Sequence, residues 1–209
     1  LPTVSEPRRG RIDKREAILA AAFVVFAREG YRAASVDTVA TEAGVAKHTI
    51  YNHFGDKEKL FLAAVQGLAD DALAKNLAAV ELLREDGDDL SAVLEKVGRR
   101  LAECYCEERS WALRRLLQAE VLRMPQLLEI VQDGTSDKVQ DVLADRLARL
   151  ALAGRLRITD PATAAEHFAA LLTAPLEARS RLGTRPIPAN ELAEVTTGAV
   201  RVFLGAYGN

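Results

Sequence analysis

The sequence predicts an all-α protein, a small three-helix N-terminal head containing a helix-turn-helix followed by a larger helical body. Three observations carry that expectation. Aromatic residues are only 5% of the chain while alanine and leucine dominate, a balance that favours helices over sheets. Apolar residues recur at i, i+3, i+4 and i+7 in segment after segment. Helix-start and helix-stop signals bracket those segments. No segment reads convincingly as a strand, and no internal repeat is visible.

The elements follow in order. Residues 1–11 carry Pro and Arg without periodicity and read as a flexible arm. Asp13 and Glu16 form an Asp-x-x-Glu capping pattern. The helix it opens is expected to run to about Glu29, with Ile18, Leu19, Ala22, Phe23 and Phe26 facing a core, and Gly30 stops it. Residues 35–60, SVDTVATEAGVAKHTIYNHFGDKEKL, read as two short helices joined by a tight turn, with a third helix starting after them. Val36, Val39, Ala40 and Ala43 give the first short helix one buried face. Ser35 can cap it through its hydroxyl. Gly44 can end it, because glycine enters the left-handed conformation without steric cost, and Val45 plugs the turn. The second short helix buries Ile50 and Phe54 and turns Lys47, His48, Thr49, Tyr51, Asn52 and His53 the other way. Asp56 caps a long helix through about Leu83 that buries Leu60, Phe61, Ala64, Val65 and Leu68. Residues 85–89, EDGDD, read as a loop.

Helical patterns then cover about 89–107, 110–123, 125–133, 137–153, 161–181 and 189–206. Met124-Pro125 separates two of them, since proline lacks a donor and restricts the residue before it. Gly134 and Gly154 act as stops. Asp160-Pro161 is an N-cap followed by proline at the first helical position. Pro175 is expected to kink its helix, and residues 183–188 form a loop.

Hydrophobic content of 49% with 28% charge is that of an ordinary soluble protein, and a net charge of −2 excludes a globally basic nucleic-acid coat. Residues 1–60 nevertheless hold ten Lys/Arg against eight Asp/Glu. A mildly basic head on an acidic body suits a protein that touches phosphate at one end only. No apolar stretch approaches the ~20 residues a membrane span needs, and no signal-peptide pattern is read. The expectation is a cytoplasmic protein with no membrane partner. The chain begins at Leu1 rather than Met, so the native N-terminus is expected upstream. Cys104 and Cys106 at i, i+2 project to different sides of a helix, which suits neither a disulfide nor a zinc knuckle. Two buried thiols in a reducing compartment is the simple reading; redox or thiol-ligand sensing is the alternative.

The outward face of the second short helix is rich in donors, poor in carboxylates and carries an aromatic hydroxyl, as a helix placed in a DNA groove requires. Tyr51 and Lys57 offer a hydroxyl and a cation to phosphate, and the helix N-terminus at Lys57 offers free N–H groups. Ser35 and Thr38 are candidates for the same task. Lys47, His48, Thr49 and Asn52 are candidates for base readout: lysine to guanine, asparagine to adenine, a threonine methyl to thymine. The plain alternative is a solvated helix face. Arg8, Arg9 and Arg11 either lie along a groove or form a solvated tail.

The run from 18 to 62 resembles the DNA-binding domain of the TetR (tetracycline-repressor-like) transcription regulators. The matching residues are Ile18, Ala21, Ala22, Phe26, Gly30, Tyr31, Ser35, Val36, Ile50, Tyr51, His53, Phe54, Lys57, Glu58 and Leu60. The Tyr-x-His-Phe-x-x-Lys-Glu-x-Leu string is more specific than a bare helix-turn-helix pattern. Beyond the first third the similarity is architectural, apart from GRLRITDP at 154–161, which is similar to C-terminal domains of some members. The resemblance implies that Tyr51, His53 and Lys57 contact the DNA backbone. It implies a one-component regulator, most often a repressor, that binds a palindromic operator as a homodimer and is released by a small-molecule effector. Two recognition helices would enter successive major grooves about 34–36 Å apart. The domains expected are an arm at 1–11, a DNA-binding domain at 12–58 and an effector-binding and dimerisation domain at 59–209. The helices at 161–181 and 189–206 are expected to pair with their two-fold mates through Phe168, Leu171, Leu172, Leu176, Leu192, Val195, Val200 and Phe203.

The body holds the single Trp, the single Met and both Cys. A mainly apolar effector cavity is expected near Trp111, drawing on Cys104, Tyr105, Met124, His167 and Phe168, with plain core packing as the alternative for each. No cluster of like charges falls on the apolar faces there, so a neutral or weakly charged lipophilic effector is expected. His48 and His53 are spaced i, i+5 rather than the i, i+4 of a helical zinc pair, and no metal or cofactor is expected. The absence of a nucleophile motif, a Gly-rich phosphate loop or paired catalytic carboxylates argues against an enzyme. The remaining rivals are an architectural or cell-division DNA-binding protein without an effector and a helical scaffold that binds only protein.

Overall fold

The structure, a computed structural model, describes residues 7–84 and 89–209, with side chains from residue 14 onward. The expectations for the loop at 85–88 and for the side chains of Arg8, Arg9 and Arg11 lie outside the described residues. The helices are α1 (Pro7–Ala33), α2 (Val36–Ala43), α3 (Lys47–Phe54), α4 (Lys57–Val80), α5 (Leu90–Cys106), α6 (Glu108–Glu120), α7 (Gln126–Leu128), α8 (Asp137–Leu152), α9 (Pro161–Ser180) and α10 (Ala189–Tyr207), with a π-helical stretch at Glu129–Ser136. Among the described residues no strand occurs; Leu156 and Gly208 form a lone antiparallel bridge.

Most boundaries fall within a few residues of the sequence expectation, and the exceptions have causes. α1 begins at Pro7, inside the stretch read as an arm. Proline at a first helical position loses no bond and arrives with a helical φ, so Asp13 is interior rather than a cap. Gly30 does interrupt the helical dihedrals, with φ 77° and ψ 159°. α4 ends at Val80, and tighter bonds from Leu82 N to Ala79 O and Leu83 N to Val80 O carry the chain to Leu83. Gly134 is not a stop: the backbone passes through it in π-helical form to α8, with buried Thr135 donating to the Ala69 carbonyl at 3.3 Å. Pro175 lies inside α9, which continues to Ser180.

The chain divides into two compact units. The first combines the described residues up to Leu68 with Arg115–Ile130; the second combines Ala69–Arg114 with Val131–Asn209. α4 and α6 contribute residues to both. In the first unit Ile18, Ala22, Phe23, Phe26, Val39, Ile50, Phe54, Leu60 and Phe61 are buried, with Val25 joining them and Leu19 only half-buried. The Phe26 and Phe61 rings meet edge to face at 4.9 Å, and Tyr31 lies 5.0 Å from Phe61. Each large apolar side chain fully buried there contributes roughly 1.5–3 kcal/mol.

In the second unit α5, α8, α9 and α10 share a core of Leu94, Val97, Leu143, Leu147, Phe168, Leu172, Val200 and Phe203. Phe168 and Phe203 meet edge to face at 5.1 Å. Gly98 lets α5 approach closely, since a Cβ there would lie 3.2 Å from Thr196 and 3.3 Å from Leu172. This core corrects the expected dimer face. Of the eight apolar residues assigned to it, all but Leu171 are buried within the chain. Helix periodicity cannot tell an intrachain apolar face from an interchain one. The apolar groove on the outside of α9 and α10 is lined instead by His167, Ala170, Leu171, Ala174, Val202 and Ala206, among others, and has a volume of about 450 Å³.

Candidate nucleic-acid interface

The helix-turn-helix is built from local rules. Ser35 Oγ accepts the Thr38 backbone N–H at 3.0 Å and sits 2.8 Å from the Thr38 hydroxyl. Ser35 therefore opens α2 as its N-cap, with the Thr38 hydroxyl beside it. Gly44 takes the left-handed conformation at φ 64°, and Val45 N bonds Ala40 O at 3.0 Å, closing the turn. Ala46 at the N-cap of α3 supplies no side-chain acceptor, which leaves the first N–H groups of α3 to solvent or an anion. Gly55, at φ 84°, ends α3 through a bond to Tyr51 O at 2.8 Å. Asp56 then caps α4 by accepting Lys59 N at 2.8 Å. That backbone bond, with the Lys59 ammonium, holds the Asp56 carboxyl below its usual range.

Ile50 and Phe54 anchor α3 inward. Lys47, His48, Tyr51 and Asn52 share the exposed face, at the i, i+1, i+4, i+5 spacing of one helix side, while Thr49 and His53 flank it half-buried. The six residues therefore do not form one uniform surface. Tyr51 keeps 42% of its surface exposed, unusual for an aromatic with no packing need at the site. Lys47 is not free in this state: its Nζ lies 2.7 Å from Asp37 Oδ2, a partner that holds the ammonium above its ordinary pKa. Lys57 is turned toward the exit of α1, donating to the Arg32 carbonyl at 3.2 Å and sitting 4.8 Å from the Tyr31 ring centroid. Asp37 went unremarked in the sequence, because ten residues separate it from Lys47 and the turn alone brings them together.

Of the residues expected at an effector site, Tyr105 and buried Trp111 are brought into contact, edge to face at 5.2 Å, and Cys104 is buried on the same helix as Tyr105. Met124 is buried but belongs to the first unit. Phe168 is fully buried in the α5–α8–α9–α10 core, and His167 is exposed, its Nδ1 2.6 Å from the Tyr207 hydroxyl. Both cysteines are free, and burial pushes both thiols up, which disfavours thiolate chemistry. The residue the sequence reading missed is Arg114, whose guanidinium stacks on both Tyr105 and Trp111. Its i, i+3 spacing from Trp111 was visible, but arginine on a helix ordinarily reads as solvated. Among the described residues no three His, Cys, Asp or Glu side chains converge as metal ligands, and no helix is long and apolar enough to cross a membrane.

Comparisons with known proteins bear on both parts of the chain. Residues 18–64 match the family model described as bacterial regulatory proteins, tetR family. Residues 92–209, more than half the chain, match the C-terminal domain of AefR-like transcriptional repressors. The transcriptional activator FasR of Mycolicibacterium smegmatis is 28% identical over 66% of this chain and 64% of its own, so the match spans less than two thirds of that relative. The transcriptional repressor AcnR of Corynebacterium efficiens is 32% identical over 72% of each chain. The crystal structure of a putative TetR-family regulator from Mesorhizobium loti superposes with a TM-score of 0.86 at 30% identity, covering 98% of this chain and all of that one. With a helix-turn-helix assembled on Ile50 and Phe54 and a family match through both regions, the chain belongs to the TetR family of bacterial transcriptional regulators.

Proposed function

We propose that this regulator is a cytoplasmic one-component repressor that binds a palindromic operator as a homodimer and leaves it when a small molecule occupies the helical body. The observation that carries the reading is the exposed α3 face of Lys47, His48, Tyr51 and Asn52, held rigidly by two buried anchors. Tyr51 and Ser35 serve phosphate, with Lys57, Thr38 and His53 beside them, while Lys47, His48, Thr49 and Asn52 face base edges. For Lys47 this requires exchanging the Asp37 carboxylate for DNA. The second copy covers the groove of α9 and α10, where Ala170, Ala174 and Ala206 permit close helix approach and Val202, 53% exposed, supplies an apolar contact. The effector acts through α4, which contributes to both units. A hundredfold release from DNA requires about 2.7 kcal/mol of preference for the DNA-free conformation.

The test is sedimentation and duplex binding by the full chain and by Val202→Arg. The wild type is expected as a dimer at micromolar concentration and the variant as a monomer that has lost most operator affinity, because two half-sites are no longer bound together. A wild-type monomer would remove the dimer from the account.

A further inference from the structure

We propose that the effector is an organic anion, a carboxylate on an apolar body, and that Arg114 is its anchor. The inference rests on the ligand-released regulator described above and supplies its ligand chemistry, in place of the neutral compound favoured by the sequence pattern. The decisive feature is a cation held against two aromatic rings that makes no ion pair among the described residues. The Arg114 guanidinium carbon lies 3.8 Å from the ring centroids of both Tyr105 and Trp111, whose rings stand edge to face. The guanidinium thus fills the angle between two aromatic faces. One terminal nitrogen, Nη2, donates to the Tyr105 carbonyl at 2.6 Å. Nε is buried with no acceptor. Arg114 makes no ion pair among the described residues, and Glu177 acts on it only from beyond ion-pair range.

Burial is the largest influence on this group and pulls its pKa down. A guanidinium cannot relieve such desolvation by losing its proton, so the charge persists and calls for a partner. The ring faces offset part of the cost. They cannot satisfy the N–H donors, which lie in the guanidinium plane. A carboxylate can, since its two oxygens match two of those donors in parallel. The neighbours on α5 do not compete for the role: both thiols are pushed up by burial, as is the Tyr105 phenol.

The loop that packs on Trp111 is strained. Arg181, Leu182 and Gly183 take successive left-handed φ values of 51°, 59° and 78°, and two of the three are not glycine. Gly183 packs so closely that a Cβ there would overlap the Trp111 indole. Its N–H is tied to Ser180 Oγ at 3.2 Å. In the proposed bound form this short loop moves off Trp111, which gives a ligand a route toward Arg114.

Trp111, the single tryptophan, is the reporter. The full chain would be titrated with straight-chain carboxylates from hexanoate to palmitate, each paired with the alcohol and the alkyl phosphate of equal length. Tryptophan fluorescence and release of a bound duplex would be read in parallel. Carboxylates are expected to give a saturable change and their alcohols to bind about tenfold more weakly or worse, the equivalent of one charge-assisted bond. Arg114→Met is expected to erase the difference between acid and alcohol. Arg114→Lys, which keeps the charge but not the fork, is expected to keep part of it and carries the test if Arg114→Met does not fold. Alcohols matching their acids, no response to any member of the panel, or a preference surviving in the variants would overturn the proposal. Alkyl phosphates binding more tightly than carboxylates would overturn the carboxylate assignment. A wild-type chain that binds no duplex would overturn the regulator reading instead, leaving the fluorescence titration to decide the anion site separately.

Discussion

The α3 face and the Tyr105–Trp111–Arg114 cluster both combine aromatic rings with cations, and they hold them in opposite ways. On α3 the tyrosine stands in water and Lys47 rests against a carboxylate that is itself exposed. Such pairs contribute little to stability, typically ~0–1 kcal/mol, and are readily exchanged for a phosphate. In the cluster the cation is largely removed from water and lies against two ring faces, with no ion pair among the described residues and the Glu177 carboxylate acting only at longer range. A surface built for a polyanion keeps its charges cheap and available. The proposed anion site holds its charge away from water, where a bound carboxylate would relieve it.

The largest expected effect separates fold from function. Phe203→Ala empties a fully buried site beside Phe168 and should cost about 3–5 kcal/mol in urea unfolding. Tyr51→Ala should change stability by no more than about 0.5 kcal/mol yet weaken duplex binding. Equal destabilisation by the two would mean that Tyr51 is structural, and the contrast would collapse.

Next in size is Lys57→Ala. It should weaken binding to all sequences alike and lower the salt slope by about one unit. An unchanged slope would leave the Arg32 carbonyl as the whole task of that ammonium. Asp37→Asn has the opposite sign. Releasing Lys47 and removing a carboxylate near phosphate should tighten binding to every duplex, specific or not, and steepen the salt dependence. Weaker binding by this variant would show that Asp37 positions Lys47 rather than competing for it.

The smallest effect is in the body, at the start of α9. Asp160 accepts from the Thr163 hydroxyl at 2.6 Å and its N–H at 3.2 Å, and these bonds hold its carboxyl below the usual range. A depressed folded value adds stability above the unfolded pKa, about 3.9, and that contribution is lost as pH falls through the folded value. Asp160→Ala should therefore lower Tm at neutral pH, with the gap to wild type closing below about pH 3.9. A gap independent of pH would assign the effect to the backbone rather than to the carboxylate.

The head was legible because its rules are local. Ser35, Gly44 and Asp56 act on neighbours within a few residues, and the four-residue spacing of Ile50 and Phe54 marks the inward side of α3. Asp37 and Arg114 were not legible, since their partners come from a turn or from two helices packed in three dimensions. The same limit explains the dimer face: Phe168 and Phe203 look identical in sequence whether they meet each other or a second chain. The π-helical passage through Gly134 has no sequence signature comparable to a cap.

The most direct test of the central claim, that the α3 face reads DNA sequence, begins by selecting genomic fragments bound by the full chain. Its affinity would then be measured for the recovered site and for a scrambled duplex of equal length at matched salt. The account predicts binding to the recovered site tighter by about 10³-fold or more, with footprints in two half-sites about 34–36 Å apart. Equal affinity for the two duplexes would contradict it.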